Sequence, residues 1–233
     1  MNIKKITGKI IKITDLSKTA KEISIDLSEP LDFNPGSFVN VFFDVNGEKV
    51  RRAYSISSTS KNNENISLSI RLSPNGTITP IFWKKDMTGE TIELMGPLGL
   101  NTVDKMNQNK VYLFAFGIGI GVVKSIADYF TETKKVDSLT IIYGSRCEDE
   151  ILYNDYFKEI LDKHKNVLYS NVVSKRDLES KIQVGHIQDF ISDFDFNDSD
   201  VYVCGQEKAC NDLVAKVTSL NHINCKFFIE GFH

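Results

Sequence analysis

The sequence predicts two domains of different class: an N-terminal antiparallel six-stranded β-barrel, then a C-terminal α/β domain with an open, parallel, five-stranded sheet. Three observations predict this. Short alternating stretches with turn residues between them recur over the first hundred residues, the pattern of a small barrel. Beyond residue 110, buried strands alternate with helical patterns, which implies parallel crossover connections. Between the two regions lies a polar stretch, Asp104 to Asn109, that reads as a linker. The domains are therefore expected at residues 1–105 and 106–233.

Composition bounds the reading. A chain of 233 residues, 41% hydrophobic and 25% charged, is an ordinary globular protein. A net charge of -3 argues against nucleic acid as the main partner, since phosphate binding at scale needs a basic face. The longest apolar run, Val111 to Val123, is too short for a membrane span and carries three glycines. Met1 to Lys5 leads into alternating residues and not into a signal-peptide core. The four cysteines, Cys147, Cys204, Cys210 and Cys225, form no CxxC. That spacing argues against zinc and iron–sulfur clusters and suits a reducing cytoplasm.

In the first region, Ile3 to Thr14 and Glu22 to Leu27 read as strands, the second alternating cleanly. Pro35-Gly36 is a turn. Phe38 to Val45 and Val50 to Ser57 read as strands joined by an Asn46-Gly47 hairpin turn. After the polar loop at Lys61 to Asn65, Ile66 to Leu72 alternates again and ends in Ile70-Arg71-Leu72. Thr79 reads as the N-cap and Pro80 as the first residue of a short helix. Thr91 to Met95 is the sixth strand, followed by Gly96-Pro97-Leu98-Gly99.

In the second region, buried strands are expected at Lys110–Phe116, Ser138–Tyr143, Val167–Val173, Asp200–Cys204 and Cys225–Ile229. Helices are expected after Gly121, over about 150–163, around Ile187–Ile191 and over Lys208–Leu220.

Two stretches carry chemistry. The strand Arg51-Arg52-Ala53-Tyr54-Ser55 sets a guanidinium beside a phenol and a hydroxyl. By alternation, Arg52 and Tyr54 point one way and Ala53 and Ser55 the other. A cationic fork next to a phenol suits a ligand with a phosphate at one end and a flat ring at the other, as in a flavin nucleotide. An ordinary decorated strand is the competing reading. In the second region three strands end in glycine: Phe116-Gly117, Tyr143-Gly144 and Cys204-Gly205. Ligands bind outside the carboxyl ends of parallel strands, where a helix N-terminus favours phosphate. Gly117, Gly119 and Gly121 form a nucleotide-loop candidate. Ser145 and Arg146 offer a hydroxyl and a guanidinium to a ribose 2′-phosphate, against the reading of Arg146 as a solvated loop charge. Cys204 is a core thiol or a neighbour of the nicotinamide.

Taken in order, these motifs resemble the ferredoxin–NADP reductase superfamily over essentially the whole chain. They are Arg52-x-Tyr54-Ser55, Gly76-x-x-Thr79, Gly96-Pro97-x-Gly99, the glycine loop, Tyr143-Gly144-x-Arg146, Cys204-Gly205 and an acidic–aromatic end. The resemblance implies a flavin barrel followed by a nicotinamide-nucleotide domain. It implies that Arg52 binds the flavin phosphate, that Tyr54 packs on the ring or ribityl, and that Ser55 bonds near N5, the hydride acceptor. Ala53 and Arg71 are expected to border the same cofactor. Gly76, Thr77, Ile78 and Thr79 match the segment that holds the FAD pyrophosphate, which favours FAD over FMN. Gly117, Gly119 and Gly121 are implied to border the NAD(P) pyrophosphate, and Cys204 and Gly205 the nicotinamide. Glu230 and Phe232 occupy the terminal positions near the ring, Glu230 with a catalytic role and Phe232 as its shield. The chain departs from the pattern where Phe116-Gly117 replaces a glycine pair and Val122-Val123 replaces a proline.

The implied function is a cytoplasmic, FAD-dependent reductase. It takes a hydride from NAD(P)H and passes electrons to a separate acceptor, such as ferredoxin, flavodoxin or an oxygenase component. Two alternatives stand beside it: an NAD(P)H:flavin oxidoreductase that uses free flavin as substrate, and a non-catalytic electron-transfer subunit of a larger complex. The acceptor, and NADH against NADPH, stay open.

Overall fold

A computed structural model describes residues 2–45, 47–134, 136–175 and 182–232. The first region is six strands: β1 (Lys4–Ser17), β2 (Ala20–Leu27), β3 (Phe38–Val45), β4 (Glu48–Ser55), β5 (Asn65–Arg71) and β6 (Thr91–Leu98). All neighbours are antiparallel, in the order β4-β3-β6-β1-β2-β5. The sheet curls until its two edges meet. Ile56, just past β4, bridges Leu68 on β5, and the Ser57 N–H donates to the Ser67 carbonyl at 2.8 Å. The expected barrel is therefore present. Its interior holds the inward residues of each strand, among them Ile10, Ile25, Val39, Ile66 and Leu94. In β5 the alternation is complete: Ile66, Leu68 and Ile70 are buried, whereas Ser67, Ser69 and Arg71 are on the outer face, from which Ser69 and Arg71 reach Tyr153 and Glu150 of the second region.

The hairpin between β3 and β4 pairs Val45 with Glu48. Gly47 has a φ of +82°, the left-handed backbone that the Asn-Gly turn requires; Asn46 itself lies outside the described residues. The short helix α1 covers only Ile81–Lys84, and the expected Thr79 cap is not made. Pro80 occupies the cap position, and the Thr79 Oγ1 instead accepts the Ser73 N–H at 2.9 Å. A proline can begin a helix without a side-chain cap because its own N–H is missing.

The second region contains β7 (Lys110–Phe116), α2 (Ile120–Glu132), β8 (Ser138–Ser145), α3 (Asn154–Lys163) and β9 (Val167–Val173). It continues with β10 (Gln183–Val184), β11 (Ser199–Gln206), α4 (Glu207–Thr218) and β12 (Cys225–Phe232). The sheet is parallel throughout, in the order β10-β9-β8-β7-β11-β12. The five expected strands are joined by a sixth, β10, which has two residues and pairs only at the edge. A run so short carries no alternation to read. The helix expected around Ile187 is a single 3-10 turn, Ile187–Asp189. From β7 the chain steps outward through β8 and β9, then returns to lay β11 on the other side. Strand order therefore reverses between β7 and β11, the place where such sheets leave a crevice for ligand. No helix among the described residues is long and apolar enough to cross a membrane.

The segment between the sheets is anchored. The buried Asp200 Oδ2 accepts the N–H groups of Asn107 (2.6 Å) and Gln108 (2.8 Å). Asp200→Ala leaves both donors without a partner and is expected to lose about 2–5 kcal/mol of stability in urea unfolding. Asp200→Asn keeps an accepting oxygen and should lose clearly less.

Candidate functional site

A cavity of about 740 Å³ opens between the barrel and the parallel sheet. Its size is that of a small-molecule site. The ends of β4 and β5 supply Tyr54, Ser55 and Arg71; the loop after β7 supplies Gly119; β12 supplies Glu230 and Phe232. Residues more than 170 positions apart in sequence thus share one wall, because the barrel's outward face meets the carboxyl ends of the strands.

Polar side chains hold that seam. The Tyr153 hydroxyl lies 2.8 Å from Glu22 Oε1 and 2.7 Å from the Ser69 Oγ. A carboxylate oxygen only accepts, so the tyrosine proton goes to Glu22 and Ser69 donates to Tyr153. The Ser125 hydroxyl donates to the Ser58 carbonyl at 2.6 Å, and the Asn101 amide to the Ile229 carbonyl at 2.6 Å. Across the same seam, Arg71 Nη1 donates to Glu150 Oε2 at 2.7 Å, and the Thr19 hydroxyl to Glu150 Oε1 at 2.9 Å. Burial works to raise the Glu150 carboxyl, but the Thr19 and Arg71 hydrogen bonds and the Arg71 and Arg146 charges outweigh it, so the net shift is downward.

Arg71 is the informative group. Its Nε and Nη2 are buried and have no partner in the structure. A hypothetical Cβ on Gly117 would lie 3.8 Å from the same guanidinium, and Gly117 has a φ of +55°. Two guanidinium nitrogens without partners, Nε and Nη2, thus sit beside the open glycine loop at the strand-reversal crevice. Buried guanidinium donors are rarely left unsatisfied. The residues present fit the phosphate of a nucleotide cofactor.

The part of the cavity around Tyr54 and Glu230 is built differently. Burial pushes the Tyr54 hydroxyl up to about 12, the nearby Arg52 charge pulling weakly the other way, so the phenol stays neutral. Glu230 Oε2 accepts the Tyr202 hydroxyl at 2.6 Å, and the Ser55 hydroxyl is directed at the same carboxyl. Burial raises the Glu230 carboxyl above its ordinary range; the Tyr202 and Ser55 hydrogen bonds oppose this without cancelling it. The folded state therefore binds more protons than the unfolded state between the ordinary carboxylate range and the raised value. Stability falls as pH rises through that window and stays lower above it. Glu230→Gln abolishes this titration. Thermal unfolding should show it more stable than wild type at neutral pH, with the gain gone at about pH 4.

Several residues named from the sequence lie elsewhere. Arg52 is exposed, does not line the cavity, and donates from Nη1 to the Arg51 carbonyl at 2.8 Å. Ala53, Tyr54 and Ser55 all line it, so strict alternation does not sort them. The cause is position: β4 is an edge strand, and the cavity wraps its end. Gly76, Thr77, Ile78 and Thr79 lie outside the cavity wall, and the Ile78 side chain is in the barrel core. Ser145 is buried and its hydroxyl donates to the Cys147 carbonyl at 2.9 Å, so it has no proton to offer a phosphate. Arg146 is exposed. The Cys204 thiol is fully buried, and burial, with Glu230 nearby, raises it well above its ordinary value; it is a core group. Its carbonyl matters more. A Cβ on Gly119 would lie 2.4 Å from the Cys204 oxygen, and one on Gly121 2.4 Å from the Ser69 Oγ. These glycines let the loop seat against β11 and β5. Leu98, Leu100 and Asn101 line the cavity and carried no chemical signal in the sequence; the Gly96-Pro97-x-Gly99 turn was their only marker.

Comparison with known proteins finds matches over both halves of the chain. The model of the oxidoreductase FAD-binding domain matches residues 7–102, and that of the oxidoreductase NAD-binding domain residues 113–214. The reductase component of phenol 2-monooxygenase from Pseudomonas sp. (strain CF600) is 25% identical over 97% of this chain and 65% of its own length. The toluate 1,2-dioxygenase electron transfer component from Pseudomonas putida is 28% identical, over 96% of this chain and 66% of its own. The chain thus spans about two thirds of the length of these relatives. Among solved structures, a cytochrome P450 reductase from Amycolatopsis superposes with a TM-score of 0.85 at 21% identity, over 97% of this chain and 70% of that one. A ferredoxin NADP+ reductase from Neisseria gonorrhoeae, with bound FAD and NADP, superposes with a TM-score of 0.84 at 16% identity, over 99% of both chains.

Proposed function

We propose, from the premise that the chain belongs to the ferredoxin–NADP reductase superfamily, that it is an FAD-dependent reductase oxidising a nicotinamide dinucleotide and passing electrons to a separate acceptor. The observation that carries this is the single cavity in which the barrel's Tyr54, Ser55 and Arg71 meet Gly119 and Glu230 of the α/β domain. The division falls at 105/106, between the two sheets: residues 1–105 hold the flavin and 106–233 the dinucleotide.

When bound, the flavin would supply the redox chemistry, hydride acceptance followed by release of single electrons. This chain binds, orients and manages protons. Tyr54, Ala53 and Ser55, which line the cavity from β4, would hold the flavin there, Tyr54 by packing and Ser55 by its hydroxyl. Arg71 offers its unpaired Nε and Nη2 to phosphate at the domain seam. Gly117, Gly119 and Gly121 bring backbone to the dinucleotide, with Cys204 and Gly205 behind the nicotinamide. Phe232 covers the ring from β12. Arg52 and the Gly76, Thr77, Ile78 and Thr79 segment reach the flavin phosphates only outside the cavity wall. In that respect flavin as a diffusible substrate is a second reading, favoured by Arg52 being turned to its neighbour's carbonyl. The acceptor is an oxygenase component, the class to which the relatives' reductase and electron-transfer components deliver by their names.

NADH is the preferred dinucleotide. A 2′-phosphate requires donors and positive potential, but after Ser145 and Arg146 come Glu148, Asp149 and Glu150. NADH should exceed NADPH in kcat/KM by about tenfold or more, a difference of about 1.4 kcal/mol per decade. The test is anaerobic mixing of purified, flavin-loaded protein with each dinucleotide, followed at the flavin band. Bleaching by NADH is expected. A folded protein that takes up no flavin on titration would overturn the reading, and flavin lost on desalting would favour its use as a substrate.

A further inference from the structure

Tyr202 lies in the middle of β11, between Leu113 of β7 and Phe228 of β12. Its ring is fully buried. A buried phenol needs a partner for its hydroxyl. Tyr202 finds one across the strand boundary, donating to Glu230 Oε2 at 2.6 Å. In the sheet, Phe228 is directly opposite Tyr202, and Glu230 is opposite Cys204. Tyr202 and Glu230 are thus diagonal neighbours on one face, a geometry that the sheet itself holds rigid. The tyrosine stays a donor: burial and the Glu230 carboxylate both drive its hydroxyl well above its ordinary range.

We propose that Tyr202 is a positioning residue for proton handling: it locks the Glu230 carboxyl in the orientation that faces Ser55 and the cavity. This rests on the reductase reading above. The balance of the reaction shows why a lock is needed. The dinucleotide gives a hydride, two electrons and one proton in sum. A one-electron acceptor takes the two electrons in two steps. One proton per turnover must therefore leave the cavity. With the flavin bound, the Ser55 hydroxyl would hand its proton to the Glu230 carboxylate while accepting the one the site must lose, and Glu230 would release that proton to solvent. A carboxyl free to rotate would meet Ser55 only part of the time. The hydrogen bond from Tyr202 also opposes the burial that favours the protonated carboxyl. The other titratable groups against this carboxyl, Cys204 on β11 and Cys210 on α4, are buried thiols that burial keeps protonated, so neither supplies a competing charge.

Tyr202→Phe removes one oxygen and keeps the ring. In the full chain, two readouts separate positioning from a structural role. The first is an infrared titration of the protonated carboxyl band without dinucleotide, assigned by its loss in Glu230→Gln. In Tyr202→Phe the band is expected to persist to higher pH. The second is steady-state reduction of an artificial one-electron acceptor, ferricyanide. There kcat at neutral pH is expected to fall about tenfold, with the acid limb moved upward and the KM for NADH unchanged; this is part of the 10²–10⁴ typical of acid–base catalysis. Glu230→Asp, which withdraws the carboxyl from Tyr202, should show the same upward displacement if Tyr202→Phe does not fold. Wild-type titration and pH profile in these variants would overturn the role of Tyr202, provided that Glu230→Gln itself loses turnover. If Glu230→Gln turns over normally, the proton role of Glu230 fails, and the proposal with it. If no variant and no wild type is reduced by NADH, the reductase reading is the one that fails.

Discussion

Ser55→Ala is expected to slow flavin reduction by NADH by about 10²-fold while leaving flavin affinity within a few-fold of wild type. Among the described residues, the serine is the one hydroxyl that the barrel presents both to the cavity and to Glu230. Donors aimed at developing charge in a water-poor site are worth about 10²–10³ in rate when removed. In the proposed site Tyr54, Arg71 and backbone groups also contact the cofactor, so losing one small side chain is expected to leave binding largely in place. Stopped-flow absorbance of the loaded protein under anaerobic conditions gives the rate, and fluorescence titration of the apoprotein gives the affinity. Ser55→Thr keeps the hydroxyl and should recover part of the rate. A Ser55→Ala protein reduced at the wild-type rate would remove Ser55 from the reaction.

The largest stability effect is expected at Gly205. Its φ of +146° is a backbone conformation that side chains rarely adopt, and a Cβ there would lie 2.6 Å from both the Cβ and the carbonyl oxygen of Phe116. Strain of this kind costs about 1–3 kcal/mol and overpacking against backbone about 1–3 kcal/mol more. Gly205→Ala should therefore lose roughly 3–5 kcal/mol, a large part of the 5–15 kcal/mol that holds a typical domain. Calorimetry should show the melting temperature fall steeply. The comparison is Gly47→Ala, where φ is also positive but no atom lies within 4 Å of the added Cβ. It should lose only the smaller, strain part. Gly205 adjoins Phe116 where strand order reverses, so a surviving Gly205→Ala protein should also bind NADH more weakly.

Much of the architecture could be read from local pattern. β3 and β9 fall on their expected bounds, Phe38–Val45 and Val167–Val173, because each is a full strand between clear breaks. β6 runs three residues past its expected end, to Leu98, since Gly96 and Pro97 read as breakers yet stay within the strand. The α1 cap went to Pro80 because Thr79 found a nearer donor in the Ser73 backbone. The Ser145 hydroxyl is likewise engaged locally, donating to the Cys147 carbonyl, a contact that no motif records.

The sequence by itself determined the two-domain order, the strand and helix periods, the glycines that end three strands, and the collinear motifs that mark the family. These rest on interactions within a few residues, so spacing records them. Only the tertiary structure decided which groups share the site. Arg71 meets Glu150, Ser69 meets Tyr153, and Glu230 meets Tyr202 across gaps of 79, 84 and 28 residues. No local period encodes those meetings; they follow from how a closed barrel lays its outward face against the carboxyl ends of a parallel sheet. The same packing left two guanidinium donors of Arg71 unpaired at the glycine loop while turning Arg52 away to its neighbour's carbonyl. Chain chemistry named the kinds of group required, and long-range packing chose which of them face the cavity.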